Sequence, residues 1–410
     1  MEIIRRFKKN EKGSITIMVL TAMLFMLVVI TISYLSISNE SIGQNKKISQ
    51  ISEQYQVTDE DMKQEYQKAI NSLSVKDYVK VGDYVDYEPT IATKDGQKVD
   101  ESQLTYTSPT GTIPTDNTGI ITHGNGYTSA EEGGGQTFTA KANDGSETGV
   151  KWRVLSVSDN KIELISEKPV LKDETSQDNG NFVLQGGIGY LYAEQELNEI
   201  CKIYGYGYGA DKDVGATYTV GGPEDTPIIG KIEGTGARSV TIDDLYKMAG
   251  IYIDKKDGKM KYSNGEVIEC SYGETTNFTE GVFYPTLNSS EKSYAGKSIS
   301  TKTGFKNTYF SLKTTDEYIT DTTKINLMFM KEPYWFSSRS INCIESRVNF
   351  GVNIINTQYQ GMLILCSGQN SNLYQSQPHC DCAVRPIVTL KADVIDLGID
   401  YNKDNIWRLK

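Results

Sequence analysis

The most regular alternation of apolar and polar residues lies late in the chain, in "RVNFGVNII". Val348, Phe350, Val352 and Ile354 fall on one face. Arg347, Asn349, Gly351, Asn353 and Ile355 fall on the other, which predicts a half-buried strand over 347–355. "NTQYQG" then reads as a turn, "MLILC" (362–366) as the return strand and "AVRPIVTL" (383–390) as a closing strand. Upstream, "VKWRVLSVSDNKIELISEKPV" predicts two strands around Ser158, Asp159 and Asn160. "DYVKVGDYVDYEP" predicts a strand with Val79, Val81 and Val85 inward. Two helices are signalled. One carries Leu191, Glu194–Leu197 and Ile200–Cys201 and stops at Gly205. The other runs from an N-capping Thr241 to a closing Gly250. Ile48, Ile51 and Tyr55, then Met62, Tyr66 and Ile70, repeat at helical spacing in a charged setting, so 38–74 reads as a solvated helical stalk.

Composition changes this picture at the N-terminus. The stretch Ile15–Ile37 is apolar and free of charge, and it follows the basic residues Arg5, Arg6, Lys8, Lys9 and Lys12. About 20 apolar residues at ~1.5 Å each cover the ~30 Å of a bilayer core. The positive leader keeps the first residues in the cytoplasm and directs the rest outward. The expected order is a leader over 1–13, a membrane-spanning or filament helix over 14–37, a stalk over 38–74 and one extracellular domain over 75–410.

The net charge of −11 leaves no broad basic surface, so nucleic acid is not an expected partner. Six cysteines are too few for a disulfide scaffold in 410 residues.

The densest cluster of reactive side chains is "HCDC", with His379, Cys380 and Cys382. A zinc site needs about four ligands, usually in paired units. Cys343 and Cys366 lie far upstream and supply no second pair, so no metal is expected. A thiol nucleophile needs a base that orients it. His379 adjoins Cys380 along the chain, and the other histidine, His123, lies in a glycine-rich stretch. The glycines of "GYGYGAD" (205–211) follow a helix rather than a strand, which does not support a dinucleotide loop. No catalytic residue and no cofactor is expected.

Residues 340–382 have a different character. No lysine occurs between Lys331 and Lys391, and the interval is rich in Asn, Gln, Ser and Tyr. Lysine is depleted in binding surfaces, whereas Tyr, Asn and Ser make contacts at low entropic cost. The binding residues expected there are Asn342, Glu345, Asn349, Asn353, Gln358, Tyr359, Asn370, Asn372, Tyr374 and His379.

Two resemblances sharpen the reading. The basic leader ending at Gly13 beside an apolar run resembles a type IV prepilin, which implies cleavage between Gly13 and Ser14. Met18 stands at the fifth mature position, where major pilins carry Glu, so the resemblance implies a minor, tip or anchored pilin-like protein. "PYWFSSR" (333–339) and "AVRPIVTL" resemble the C-terminal end of C-type-lectin-like domains, as found in pilin-like surface proteins of Gram-positive bacteria. "KWRVLSV", "GYLYAEQELNEICKIYGYGYGAD" and "GARSVTIDDLYKMAG" extend that likeness along the chain. The fold is shared with formylglycine-generating-enzyme-like domains and with the variable proteins of diversity-generating retroelements. On this resemblance Trp335, Arg339, Arg385 and Pro386 form the frame, and "HCDC" ends the displayed loop.

The expected class is therefore α+β: an N-terminal transmembrane or pilin-like helix and stalk, then a C-type-lectin-like domain with long loops. The expected protein is a cell-surface adhesin or ligand-binding protein. Its partners are the membrane, other pilin subunits and an extracellular glycan or protein. The alternatives are an extracytoplasmic enzyme of unknown reaction and a structural minor pilin without a ligand.

Overall fold

Ser158, Asp159 and Asn160 turn the chain where the sequence predicts a hairpin. Ser158 N–H donates to the Lys161 carbonyl at 2.8 Å, and Lys161 N–H donates back to Ser158 Oγ at 3.1 Å. The flanking strands, Trp152–Val157 and Lys161–Ser166, belong to a larger sheet. The chain is seen here in a computed structural model that describes residues 74–109, 135–144, 149–170, 182–184, 186–220, 228–254, 256, 260–267, 293–294, 297–298, 322–330, 332–344, 347–355, 380–397 and 405–410. It divides into two units, Met1–Ser74 and Val75–Lys410, and the second is the one described below.

In chain order the strands are β1 (Tyr84–Val85), β2 (Thr105–Thr107), β3 (Thr137–Thr139), β4 (Trp152–Val157), β5 (Lys161–Ser166), β6 (Phe182–Leu184), β7 (Ala216–Val220), β8 (Ile228–Ile232) and β9 (Ala237–Ser239). They continue with β10 (Ile251–Ile253), β11 (Met260–Tyr262), β12 (Ser293–Tyr294), β13 (Lys297–Ser298), β14 (Tyr334–Ile344), β15 (Arg347–Ile355), β16 (Cys380–Cys382), β17 (Pro386–Lys391) and β18 (Ile406–Trp407). The α-helices are α1 (Val75–Tyr78), α2 (Gly186–Lys202), α3 (Ile242–Ala249) and α4 (Thr322–Met328).

The central sheet has the order β18-β1-β4-β5-β17-β9. Its pairs are antiparallel except β1 with β18, which run parallel with Tyr84 against Ile406 and Val85 against Trp407. Trp407 Nε1 donates to Asp83 Oδ2 at 2.9 Å, which fastens that edge. Successive residues of a strand point to opposite faces, so the sheet feeds two cores. Trp152, Val154, Ile162, Leu164, Val388 and Leu390 pack with Leu197, Ile200 and Cys201 of α2. Leu155, Ile165 and Ile387 pack with Leu245, Tyr246 and Met248 of α3.

Helix α3 begins and ends where its caps predict. Thr241 and Asp244 form a capping box, and Gly250 closes the helix at φ 68°, a conformation that favours glycine. Asp244 also takes two hydrogen bonds from Arg238, at 2.7 and 2.8 Å. Burial opposes ionisation of Asp244, but the Arg238 guanidinium outweighs it and holds the carboxyl below the usual range.

Several expectations require correction. The expected class, a membrane-spanning helix and stalk ahead of a lectin-like domain, does not describe this structure. The described residues are mixed with more strand than helix, 36% against 20%. Among them no helix is long and apolar enough to cross a membrane. The longest described helix, α2, carries Glu194, Glu196, Glu199 and Lys202. The apolar run 15–37 and the expected stalk lie outside the described residues.

The strand expected through Val79, Val81 and Val85 is instead a single helical turn, α1, a turn and the short β1. Gly82 carries φ 95°, which breaks the extended run. Strand 347–355 pairs with β14, and the expected return strand 362–366 lies outside the described residues. "HCDC" is not simply the end of a loop either. Cys380–Cys382 forms β16 and pairs with β6, with Cys380 against Leu184 and Cys382 against Phe182. Cys382 is buried in the core, so it is part of the packing rather than an incidental occupant.

The glycines of "GYGYGAD" have a packing explanation. A Cβ on Gly205 would lie 2.1 Å from Thr235 Oγ1 and 2.6 Å from the Ala237 amide nitrogen. A Cβ on Gly207 would lie 2.5 Å from the Glu88 carbonyl oxygen. Only glycine admits these neighbours, and the loop packs against protein rather than cradling a phosphate.

Candidate functional site

The expected display region begins on β14, whose first residues are "YWFS". A contiguous apolar run suits a strand buried on both faces. Tyr334 and Phe336 join the α3-side core, whereas Trp335 joins the α2-side core. The rings of Tyr334 and Phe336 meet edge-on with centroids 5.4 Å apart. Trp335 is 2% exposed, and its Nε1 donates to the Phe182 carbonyl at 2.7 Å. Backbone bonds fix the same stretch on two further sides. Trp335 N–H donates to the Ala383 carbonyl at 3.0 Å, and Ser337 N–H donates to the Val240 carbonyl at 2.8 Å. Ser338 Oγ accepts from Ile242 N–H at 3.0 Å and so ties the strand to the first turn of α3.

Arg385 completes this root. It is 1% exposed. Its Nε donates to the Ser166 carbonyl at 3.0 Å and its Nη1 to the Tyr334 hydroxyl at 3.2 Å. The guanidinium lies 5.1 Å from the centre of the Tyr334 ring. The Tyr334 hydroxyl donates onward to the Met328 carbonyl at 2.6 Å. Burial pulls the Arg385 guanidinium below its ordinary range, and Tyr334 partly opposes this. Among the described residues no carboxylate forms an ion pair with Arg385. Pro386 follows and is buried at the start of β17. The residue before a proline is restricted to extended conformations, which suits the entry into that strand.

Beyond the root, β14 and β15 continue as a two-stranded ribbon. Its register is irregular between Trp335 and Arg339 and regular from there to the tip. Ser340 pairs with Gly351, Asn342 with Asn349 and Ile344 with Arg347 on one set of alternating positions. Arg339 pairs with Val352, Ile341 with Phe350 and Cys343 with Val348 on the other set. Val352 is buried in the α2-side core.

Of the expected binding residues, Asn342 and Asn349 are thus brought opposite one another. Asn353 lies on β15 nearer the root. Glu345, Gln358, Tyr359, Asn370, Asn372, Tyr374 and His379 lie outside the described residues, as do His123, Gly13 and Ser14. Among the described residues no group of three or more His, Cys, Asp or Glu side chains could hold a metal ion.

Two features of this region escaped the sequence reading. One is the Tyr334 hydroxyl, which bridges Arg385 to the end of α4. The contiguous "YWF" was its available signal. The other is Glu196, a buried carboxyl on α2. It falls three residues after Ala193 and four before Ile200, on the apolar stripe of the helix.

No protein-family model, no curated protein and no solved structure matches the chain.

Proposed function

We propose that the protein binds an extracellular glycan or protein through the β14–β15 ribbon and the polar segment that follows it, and that it catalyses no reaction. One observation carries this reading. The ribbon is fixed at its root in both cores through Tyr334 and Trp335, while Asn342 stands opposite Asn349 and Asn353 falls on the same register set. A rigid root lowers the entropic cost of presenting a contact surface. The absence of lysine between Lys331 and Lys391 and the tyrosines at 359 and 374 support the same reading.

The test applies the full-length protein, solubilised in detergent, to glycan and protein arrays. Asn342→Ala with Asn349→Ala serves as the comparator. The expected result is a bound ligand whose affinity falls at least roughly tenfold in the double variant, while its melting temperature is unchanged. Tyr359→Ala and Tyr374→Ala are expected to cost the most, because hot spots favour aromatic residues. Failure of the wild-type protein to bind any arrayed molecule overturns the proposal.

The basic leader and the apolar segment 15–37 support export and retention at the cell surface. Processing by a prepilin peptidase is part of the same proposal. The mature chain is expected to begin at Ser14, and Gly13→Leu is expected to block cleavage. N-terminal sequencing of the membrane fraction checks this, and a mature chain that still begins at Met1 in a strain with active peptidase rules it out.

A further inference from the structure

The β2–β3 pair is separate from the central sheet; Phe138 of β3 packs into the α2-side core against Phe182, and a polar contact also joins β2 to α2. Tyr106, in the middle of β2, donates its hydroxyl to Glu196 Oε2 at 2.6 Å. Glu196 is 3% exposed. Its other electrostatic neighbour is Glu199, one turn along the same helix, which raises the cost of a second negative charge. Glu199 is itself held by Lys202. Tyr192, also on α2, feels the Glu196 charge in turn. Among the described residues no lysine, arginine or histidine forms an ion pair with Glu196. A carboxylate in this position would therefore keep one neutral hydroxyl as its support. A buried charge without a cation is costly, and it recovers hydration only by opening its surroundings.

We propose that Glu196 and Tyr106 form a proton-gated clasp. With Glu196 protonated, the clasp docks the β2–β3 pair on α2; ionisation of the carboxyl releases it. The geometry limits the effect to one place. Thr105, Tyr106 and Thr107 pair with Thr139, Phe138 and Thr137. The next residues, Ser108 and Gln136, join by backbone bonds, with Ser108 N–H donating to the Gln136 carbonyl at 2.9 Å. The clasp thus holds both ends of the 109–135 connection. The β4–β5 pair at the centre of the sheet does not depend on it.

Burial, partly offset by the Tyr106 hydrogen bond, lifts the Glu196 carboxyl from its ordinary value of 4.5 to about 7. The sign follows directly. Below pH 4.5 the carboxyl is protonated in both the folded and unfolded chains. Between 4.5 and 7 the unfolded chain ionises first, so the clasp loses strength as pH rises. Above about 7 the loss is complete.

The experiment is amide hydrogen exchange on the full-length protein in detergent at pH 6 and pH 8.5, corrected for the intrinsic exchange rate. Protection at 105–107 and 137–139 is expected to fall by up to roughly tenfold at the higher pH. Protection at 152–157 and 161–166 is expected to hold, and Glu196→Gln is expected to remove the difference. Equal protection of β2 and β3 at both pH values overturns the proposal. So does a loss shared with β4 and β5, or one retained by the Gln variant. If that variant does not fold, the wild-type infrared spectrum decides. A buried protonated-carboxyl band that is present at pH 6 and lost by pH 8.5 supports the clasp, and absence of that band at pH 6 overturns it.

Discussion

Trp335→Ala is expected to destabilise the described domain by roughly 3–5 kcal/mol, the usual cost of truncating a buried large aromatic residue. The loss has two parts. The indole fills space in the α2-side core beside Phe182, Leu184 and Val352. Its Nε1 also satisfies the Phe182 carbonyl, and a buried acceptor left unmade costs a further ~1–3 kcal/mol where water cannot reach it. Trp335→Phe separates the parts, because it keeps most of the packing and loses the donor. Urea melts should place Phe between wild type and Ala. A Phe variant as unstable as Ala would mean that the hydrogen bond, not the ring, anchors the strand.

At Arg385, volume is expected to matter more than charge. Arg385→Ala removes a fully buried side chain and is expected to cost about 3–5 kcal/mol, as for other large-to-small changes in a core. Arg385→Met keeps much of the volume and relieves the burial of a cation that no carboxylate among the described residues pairs with. Met removes the desolvation cost of a buried cation and leaves only the Ser166 carbonyl and the Tyr334 hydroxyl without its bonds, so it should cost less than about 2 kcal/mol. The same melts decide. Equal losses in Ala and Met would show that the bonds to the Ser166 carbonyl and the Tyr334 hydroxyl outweigh packing.

These two residues also mark how far the sequence could be read. Local chemistry was legible. The limits of α3 follow from Thr241, Asp244 and Gly250, and the β4–β5 turn follows from Ser158 to Asn160, because each signal acts within a few residues. Helix α2 was placed from Leu191 onward but starts at Gly186. Three glycines among Gly186–Tyr190 mask that first turn, since glycine disfavours helix by about 1 kcal/mol per residue.

Pairing was less legible. The alternation in 347–355 correctly implied a strand, yet it could not say which segment lies beside it. The pairing with "YWFSSRSINCI" is set by the two cores that grip Tyr334 and Trp335, which lie outside the alternation of 347–355. The polar neighbours of Cys382 in "HCDC" suggest a loop. The Ala383–Val384 pair that follows carried the contrary signal. In the candidate site, Asn342 and Asn349 were both named from composition, but their opposition depends on a register that composition does not contain.

The order of the central sheet has a consequence for synthesis. Strands β1, β4 and β5 emerge from the ribosome early and in spatial sequence. The outer neighbours of this trio, β18 beside β1 and β17 beside β5, emerge only with residues 386–407. Until then a nascent chain holds three paired strands with two open edges, each a template for pairing with another molecule. The sheet therefore gains its outer neighbours only after β17 and β18 have been made. Those two edges stay open, and open to pairing with another molecule, until the segment that carries β17 and β18 arrives.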